Sequence, residues 1–366
     1  MKKTGLVYRR ESGPFNYQAW PTVTADENGV LYAVWSGNRV NHIDVFAKTY
    51  LSKSYDNGET WSLPQIINDS YLDDRDAGIC YLGNNKFIIS YFSHDINMYL
   101  NDWREHSTNP MTPAEKAMSF GAFELYNEVP QKNDEYGSFV RITTDGFITI
   151  GEPIKIPISC PHGPILLKSG AIGYIGTDMY ANGECEKDAL CYYKSDDNGK
   201  TFYHVGTIPL PDGYDESERY LFNEPHVVEL ENGNLFGAFR THSKGPGPVS
   251  TMSFTSSIDG GKTWSKLKVS NISGQPPHLT LLKDGRIILT YSRRVEPNRI
   301  EAIISSNNGK TFTSPIIIEN FPQHNYAGDF GYPSTVELND GTLLTVYYAI
   351  YDKDKKPSIF YTKWKL

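Results

Sequence analysis

The chain has 366 residues, of which 31 are glycine and 13% are aromatic, and its net charge is −8. It contains no basic block of the kind that follows a phosphate backbone, so the composition argues against nucleic acid as a partner. No apolar run approaches the ~20 residues that a membrane helix needs, so no membrane association is expected. The N-terminal sequence MKKTGLVYRRESG lacks the apolar stretch of a signal peptide. We therefore expect a cytoplasmic protein, or a secreted or periplasmic one if a leader has been removed.

The four cysteines are too few for a disulfide framework in a chain of this length. Their spacing matches no zinc-binding pattern; they are Cys80, Cys160, Cys185 and Cys191. Cys185 and Cys191 could pair across a loop, but the sequence favours free thiols. Neither a metal nor an organic cofactor is predicted.

Turn motifs with the approximate pattern Ser-x-Asp-x-Gly-x-Thr-Trp recur along the chain. Copies occupy residues 54–61, 195–202, 257–264 and 305–312, and a degenerate fifth lies around 143–146. In each copy Asp or Asn accepts backbone N–H groups within the turn, glycine supplies a positive φ, and an aromatic ring packs beneath. These Asp-boxes are therefore predicted to hold hairpins together rather than to perform chemistry.

Six strand–turn–strand units with a glycine turn alternate with these boxes. They begin at Pro21, Asp76, His162, Glu224, Pro277 and Tyr332. Short β-branched runs around an Asn-Gly or Asp-Gly type of turn are a strong hairpin signal. The sequence therefore predicts an all-β fold, a six-bladed β-propeller of four-stranded antiparallel blades that comprises residues 1–366 as one domain. Terminal strands at 5–8 and 358–364 would close the ring, and residues 94–137 form an insertion with a short helix.

Aligning the six units by their turn glycine shows which residues depart from the repeat. One position, here called the slot, lies just before the first predicted strand of each unit. In the six units it is occupied in turn by Trp20, Asp76, Pro161, Glu224, Pro276 and Tyr332. The end of the second strand contains Ser36, Phe92, Thr177, Arg240, Ser292 and Tyr348. Repetition favours similar apolar residues at equivalent positions, so Asp76, Glu224, Tyr332 and Arg240 are the site candidates.

The Asp-boxes, the stretch from Asn223-Glu224-Pro225 to Arg240 and the Tyr332-Pro-Ser stretch resemble the bacterial sialidase (neuraminidase) superfamily. This resemblance, which covers nearly the whole chain, implies Tyr332 as nucleophile and Glu224 as the group that accepts its proton. It implies Arg240 as one of three arginines that bind the substrate carboxylate. A second would be Arg299, with Arg294 as its local alternative. The acid/base Asp of the family should lie in the loop 37–44, which makes Asp44 the candidate and His42 its alternative.

The chain also departs from the family pattern. Where the family has Arg-Ile-Pro in its first blade, this chain has Ala19-Trp20-Pro21, so another arginine would have to complete the carboxylate site. Arg75, which precedes Asp76, and Arg39 are the candidates. Three histidines near the starts of repeat units are expected to face the central funnel as further substrate contacts; they are His162, His226 and His278.

The predicted function is that of a retaining, exo-acting glycoside hydrolase that releases a terminal acidic sugar from a glycan. Two alternatives stay open. One is a propeller hydrolase or lyase that acts on a uronate-containing glycan through His, Tyr and Arg, and the other is a propeller that binds carbohydrate without turnover. The exact sugar, its linkage and the oligomeric state do not follow from the sequence.

Overall fold

The computed structural model describes residues 2–94, 111–128, 136–178, 184–186, 188–212, 220–243, 250–321, 329–351 and 356–366. The strands form six antiparallel sheets of four strands each. The innermost strands of neighbouring sheets contact one another around one axis. The fold is therefore the predicted six-bladed β-propeller, with very little helix.

Each of the first three blades consists of four consecutive strands, after an initial strand β1 (Lys3–Tyr8) that belongs elsewhere. Blade 1 contains β2 (Tyr17–Ala25), β3 (Leu31–Arg39), β4 (Lys48–Ser54) and β5 (Gln65–Asn68). Blade 2 contains β6 (Asp73–Gly83), β7 (Lys86–His94), β8 (Gly137–Thr143) and β9 (Ile154–Ile156). Blade 3 contains β10 (Ile165–Leu166), β11 (Ile172–Thr177), β12 (Leu190–Ser195) and β13 (Tyr203–Thr207).

The last blade joins the two ends of the chain. Blade 4 contains β14 (Tyr220–Glu229), β15 (Leu235–Ser243), β16 (Ser250–Ser257) and β17 (Lys268–Val269). Blade 5 contains β18 (His278–Leu281), β19 (Ile287–Arg293), β20 (Arg299–Ser305) and β21 (Ile316–Asn320). Blade 6 contains β22 (Gly331–Glu337), β23 (Leu343–Ala349) and β24 (Ser358–Trp364), and β1 pairs with β24 as its outer strand. This pairing fixes the last blade to the start of the chain and closes the ring, as predicted.

The Asp-boxes perform the structural role expected of them. In the first box Oδ1 of Asp56 accepts hydrogen bonds from the Ser54 hydroxyl at 2.8 Å and the Thr60 backbone N–H at 2.9 Å. Gly58 has φ +81°, and a Cβ atom there would lie 2.4 Å from Cδ1 of Leu344 in blade 6. Glycine is therefore required both by the turn and by the close packing of the box on the neighbouring blade.

Apolar side chains fill the seams between neighbouring blades. Trp35 of blade 1 packs with Leu344 and Tyr348 of blade 6, and all three are fully buried. Between blades 3 and 4 the same role falls to Tyr192 and Phe239. The core thus runs around the ring as a series of inter-blade layers, while the axis is lined by polar groups.

Among the residues that the structure describes, one helix, α1 (Pro113–Asn127), lies in the segment predicted as an insertion. Thr112 and Glu115 form a reciprocal capping box at its N-terminus. Glu115 also pairs with Lys356 at 2.8 Å, and Phe123 packs near Val40 of blade 1. The helix therefore supports the loop that follows β3. Within the described parts of the chain, no helix has the length and apolarity to cross a membrane.

Candidate active site

The innermost strands of four blades share a backbone irregularity at the slot that the repeat comparison singled out. Trp20, Asp76, Glu224 and Tyr332 have φ values of 54°, 50°, 44° and 49°. The ladder register shifts at each position, which marks a β-bulge. A left-handed conformation costs a residue other than glycine about 1–2 kcal/mol. Four such residues at equivalent positions therefore point to a functional site rather than to chance.

Tyr332 of blade 6 and Glu224 of blade 4 are joined directly. The Tyr332 hydroxyl donates a 2.7 Å hydrogen bond to Oε1 of Glu224. Nη1 of Arg240 lies 2.8 and 2.7 Å from the two Glu224 oxygens and 3.3 Å from the Tyr332 hydroxyl. Arg240 is held in turn by Oε1 of Gln275, which lies 2.9 Å from its Nε. The three predicted residues thus form one hydrogen-bonded group.

The charges of this group suit a proton transfer from tyrosine to glutamate. Burial raises the pKa of the Tyr332 phenol well above its usual range, and the negative charge of Glu224 adds to the effect. Burial also favours the neutral form of Glu224, but the charge and hydrogen bonds of Arg240 outweigh it and leave the pKa of Glu224 below its usual value. At neutral pH a protonated phenol therefore faces an ionised carboxylate, which can act as its base.

Of the two arginines predicted as the second carboxylate contact, Arg294 lies beside the Tyr332 group and Arg299 does not. The Arg294 guanidinium lies 5.4 Å from the centre of the Tyr332 ring, and its Nε donates to the backbone carbonyl of Phe330 at 3.0 Å. Arg299 instead lies on β20, where its guanidinium contacts Asn320 at 3.3 Å on the outer strand of the blade. The prediction that preferred Arg299 is corrected, because β20 is the third strand from the axis.

The candidate site, called the cluster below, extends from Tyr332, Glu224 and Arg240 to Trp20. Trp20 is flanked by two arginines. The guanidinium carbons of Arg75 and Arg39 lie 4.3 and 4.6 Å from the centre of the Trp20 ring. Arg39 is completely buried and makes two hydrogen bonds to Asp73, at 2.6 and 3.2 Å. The side chain of Arg75 keeps 12% of its surface exposed. Both candidates for the missing first-blade arginine contact Asp73, Arg75 through Nη1 at 3.7 Å, but Arg39 is fully buried in its ion pair and Arg75 is partly exposed.

His42 stands next to Arg75, in an arrangement that includes two residues not predicted from the sequence. The Nδ1 atom of His42 lies 2.9 Å from the Tyr17 hydroxyl, which donates a 2.8 Å hydrogen bond to Oδ1 of Asp329. Its Nε2 atom lies 3.5 Å from Nη2 of Arg75, and its ring meets Trp20 edge-on at 5.0 Å. Tyr17 and Asp329 thus hold one nitrogen and leave the other towards the arginine and the tryptophan.

The electrostatic surroundings of His42 keep it neutral. Burial lowers the pKa of its imidazole, the adjacent Asp329 opposes this effect, and the charges of Arg75 and Arg39 reinforce it. A neutral imidazole is suited to accept a proton, and Asp329 is placed to stabilise the imidazolium that results. A sequence signal for Asp329 existed, since this acidic residue lies three positions before Tyr332, but no repeat comparison reached it.

Asp44, the other acid/base candidate, has a structural role. Its Oδ2 accepts backbone N–H groups of Val40 at 2.7 Å and Asn41 at 3.2 Å, and its Oδ1 accepts that of Phe46. The residue is 1% exposed, and burial raises the pKa of its carboxyl to about 7. Because the loop backbone uses both carboxylate oxygens, the structure does not bring Asp44 to the Tyr332 group, and this prediction is corrected.

Asp76 is buried near the group formed by Tyr332, Glu224 and Arg240. Its Oδ1 atom has no hydrogen-bond partner among the residues that the structure describes. Burial raises the pKa of Asp76 to about 7; the charge of Arg75 lowers it and that of Glu224 raises it further. Asp76 is therefore a carboxyl group that can be protonated near neutral pH at the edge of the cluster.

The rings of the three predicted histidines lie close together, and all three side chains are buried. The rings of His226 and His278 stack at 4.5 Å, and the ring of His162 lies 4.9 Å from that of His278 and 6.4 Å from that of Tyr332. His226 accepts the Leu279 backbone N–H at 3.0 Å, a bond that joins blades 4 and 5. Burial is the main cause that lowers the pKa of all three. They are therefore buried neutral groups near the Tyr332 ring rather than exposed substrate contacts.

Taken as a whole, the cluster combines a phenol, its carboxylate base and several cations. Arg75, Arg240 and Arg294 surround the adjoining rings of Trp20 and Tyr332, whose centres are 6.3 Å apart. Guanidinium groups recognise carboxylates through paired hydrogen bonds and keep their charge at any physiological pH. The arrangement thus places three cations beside a phenol and its carboxylate partner, which is chemically suited to an anionic ligand.

Comparison with known proteins supports this assignment of the fold. The profile of the BNR repeat-like domain family matches residues 130–345. A protein of unknown function from Dyadobacter fermentans is 21% identical with a TM-score of 0.75, covering 98% of this chain and 97% of that one. No curated protein sequence matches the chain.

Two solved sialidases have the same fold at lower identity. A sialidase from Streptococcus pneumoniae is 15% identical with a TM-score of 0.65, covering 99% of this chain and 70% of that one. An intramolecular trans-sialidase from Ruminococcus gnavus is 13% identical with a TM-score of 0.61, covering 98% and 97%. At these identities the likeness extends to the propeller itself.

Proposed function

We propose that this chain, which belongs to the BNR repeat-like domain family of sialidase-type propellers, is a retaining glycoside hydrolase that releases a terminal acidic sugar from a glycan. The observation that carries the proposal is the 2.7 Å hydrogen bond between Tyr332 and Glu224, with Arg240 bound to both residues. Both residues of this phenol–carboxylate pair have the left-handed backbone conformation that is costly without glycine, which favours a functional role over a structural one. The pair is suited to nucleophilic attack.

In the first step the Tyr332 oxygen attacks the anomeric carbon, the bond from that carbon to the glycosidic oxygen breaks, and the phenol proton passes to Glu224. A neutral phenol approaches a carbon that carries a carboxylate with less repulsion than an aspartate or glutamate would. Arg75, Arg240 and Arg294 bind that carboxylate and so orient the sugar. Water then attacks the anomeric carbon from the face opposite Tyr332, which the leaving group has vacated. The bond to the Tyr332 oxygen breaks, the phenol recovers its proton from Glu224, and the sugar keeps its original configuration.

In the first step the imidazolium form of His42, the minor form at neutral pH, is proposed to donate its Nε2 proton to the leaving oxygen. The neutral ring that remains then accepts a proton from the attacking water and is restored to the imidazolium. Its Nδ1 is held by Tyr17, which is itself bound to Asp329. Nε2 is therefore the nitrogen at which the proton is exchanged, and Asp329 supports the charged state. A histidine in this position takes the role that an aspartate has in the family pattern.

The direct test is hydrolysis of fluorogenic sialosides of different linkages, followed by trapping with a fluorinated sialosyl fluoride. Such a reagent slows breakdown of a covalent intermediate, so peptide mass spectrometry should locate the sugar on Tyr332. Fluorescence release with the sugar trapped on another residue would contradict the proposed mechanism. No turnover of any sialoside would contradict sialic acid as the substrate, and glycan binding without turnover would favour a binding propeller.

A second candidate is a lyase that acts on a uronate-containing glycan. The observation that favours it is that His42 and Tyr332 are both neutral at neutral pH, which provides a base and an acid for elimination next to a neutralised carboxylate. Incubation with uronate oligosaccharides would distinguish the two, because only elimination gives an unsaturated product that absorbs ultraviolet light.

A further inference from the structure

A second cluster of reactive side chains lies at the outer strands of blade 3, apart from the Tyr332 group. Cys191 is on β12, His204 is on β13, and Cys185 is in the short segment 184–186. One ligand atom from each of the three residues lies within 4.8 Å of the other two. The structure joins Cys185 to Cys191 in a disulfide, whereas the sequence favoured free thiols.

Hydroxyl groups surround these three side chains. The Thr207 hydroxyl lies 3.1 Å from Nε2 of His204 and 4.0 Å from the Cys191 sulfur. The Tyr193 hydroxyl lies 3.7 Å from the Cys185 sulfur. A hydrogen bond at one imidazole nitrogen fixes the ring and leaves the other nitrogen available as a ligand, which is how metal-bound histidines are usually held.

We propose that, when the disulfide is reduced, Cys185, Cys191 and His204 bind a thiophilic divalent cation, for which Zn²⁺ is the natural probe. Two sulfurs and one imidazole nitrogen form a donor set that prefers Zn²⁺ to hard cations such as Mg²⁺. Water would complete a tetrahedral site. Cys191 is fully buried, so a bound cation would also compensate the charge of its thiolate, which burial disfavours.

Reduction of the Cys185–Cys191 disulfide requires a reductant, for which a dithiol is suitable. The reductant transfers two electrons and two protons to the disulfide and becomes a disulfide itself, which leaves two protein thiols. Binding of the cation then displaces two thiol protons. In a reducing compartment the metal-bound form would predominate, and in an oxidising one the disulfide would. Either form ties the segment 184–186 to the outer strands of the blade.

The test uses the whole chain in its reduced and oxidised forms. The protein is reduced with a phosphine, transferred to buffer without oxygen and titrated with Co²⁺. We expect one Co²⁺ per chain, with a sulfur-to-cobalt charge-transfer band and visible bands of tetrahedral intensity, and displacement by Zn²⁺. The oxidised protein should show neither band. An oxidised protein that binds Co²⁺ equally well, or a reduced protein that gives no thiolate band, would overturn the proposal.

Variants identify the ligands. Cys185→Ser should abolish the charge-transfer band. His204→Ala should weaken Zn²⁺ binding at least about tenfold, since even residues that merely orient a ligand change affinity by about 10–100-fold. Cys80→Ser is the matched control, because Cys80 is a free cysteine outside the cluster, and it should retain the band. An unchanged band in folded Cys185→Ser, checked by circular dichroism, would contradict the assignment whatever the glycosidase assays give.

Discussion

The two halves of the candidate site differ in how they are built. On the side of blades 4 and 6, Glu224, Arg240 and Tyr332 contact one another directly, and each stands at a position where its repeat unit departs from the others. On the side of blades 1 and 2, the site consists of Trp20, Arg75 and His42. Arg75 and His42 are positioned by contacts with residues outside this set, namely Asp73, Tyr17 and Asp329. Under the proposed function, the side with Tyr332 follows the chemistry that the sialidase resemblance implies, whereas the side with His42 departs from it.

The largest effect is expected at the nucleophile. Tyr332→Phe removes the attacking oxygen but keeps the ring, so kcat/KM on a sialoside should fall by about 10³-fold or more. Steady-state fluorescence assays measure it. Tyr192→Phe is a matched control, because the Tyr192 hydroxyl is buried in blade 3 without a hydrogen-bond partner among the described residues, and it should retain activity. Equal losses in both variants would indicate a general effect on the fold.

The proposed role of His42 in proton transfer can be tested with substrates whose leaving groups differ in acidity. His42→Ala should reduce kcat/KM by about 10²–10⁴-fold on a natural oligosaccharide, whose leaving oxygen needs a proton. The loss should be far smaller on a fluorogenic sialoside with an acidic leaving group. Asp329→Asn should show the same pattern more weakly. If the two substrates lose activity equally, His42 does not assist departure of the leaving group.

The carboxylate site can be tested with two arginines that are close in sequence. Arg294→Ala removes a cation beside Tyr332 and should lower kcat/KM by about 10–100-fold, the value of a hydrogen bond to a charged group. Arg299→Ala removes a cation bound to Asn320 on the outer part of the blade and should leave kcat/KM nearly unchanged. The reverse result would restore the prediction made from the sequence.

The smallest effect concerns stability and pH. Burial raises the pKa of Asp76 from 3.8 to about 7, so the folded protein keeps a proton that the unfolded chain releases. This contribution to stability is complete below 3.8 and is lost as the pH rises through about 7. Asp76→Asn should therefore gain stability relative to the native protein across that interval, by at most about 4 kcal/mol. Urea unfolding at several pH values measures the change.

Asp56→Asn serves as the control for that experiment. Hydrogen bonds from Thr60 lower the pKa of Asp56 to about 2, so its contribution is lost only in stronger acid. The fourth Asp-box has Asn307 at this position with the same backbone bond, 2.9 Å from Thr311 N to Oδ1. The variant should thus fold and keep the native pH dependence between about pH 4 and about pH 7. A native-like slope in Asp76→Asn as well would show that other carboxyls, such as Asp44, are responsible.

The repeat made much of this protein predictable. Six hairpin units and their Asp-boxes were sufficient for the number of blades and the closure by the terminal strands, because both are local patterns that recur. The same alignment identified Glu224, Arg240 and Tyr332, since a residue that breaks its own repeat is conspicuous. The alignment also identified the slot at which the β-bulges occur. In blades 3 and 5 the slot is occupied by Pro161 and Pro276, whose rings exclude a positive φ.

The tertiary structure decided what depends on distance rather than on pattern. The choice of Arg294 over Arg299 rests on which side chain lies nearer the axis. The choice of Arg75 over Arg39 rests on exposure, because both contact Asp73 but only Arg75 is partly exposed. Asp44 and His42 are two residues apart, yet backbone N–H groups engage the first and Asp329, remote in sequence, supports the second. Periodicity reports which face of a strand a residue occupies, but only the packed blades determine which charges meet, because electrostatic and hydrogen-bond partners are selected across the ring.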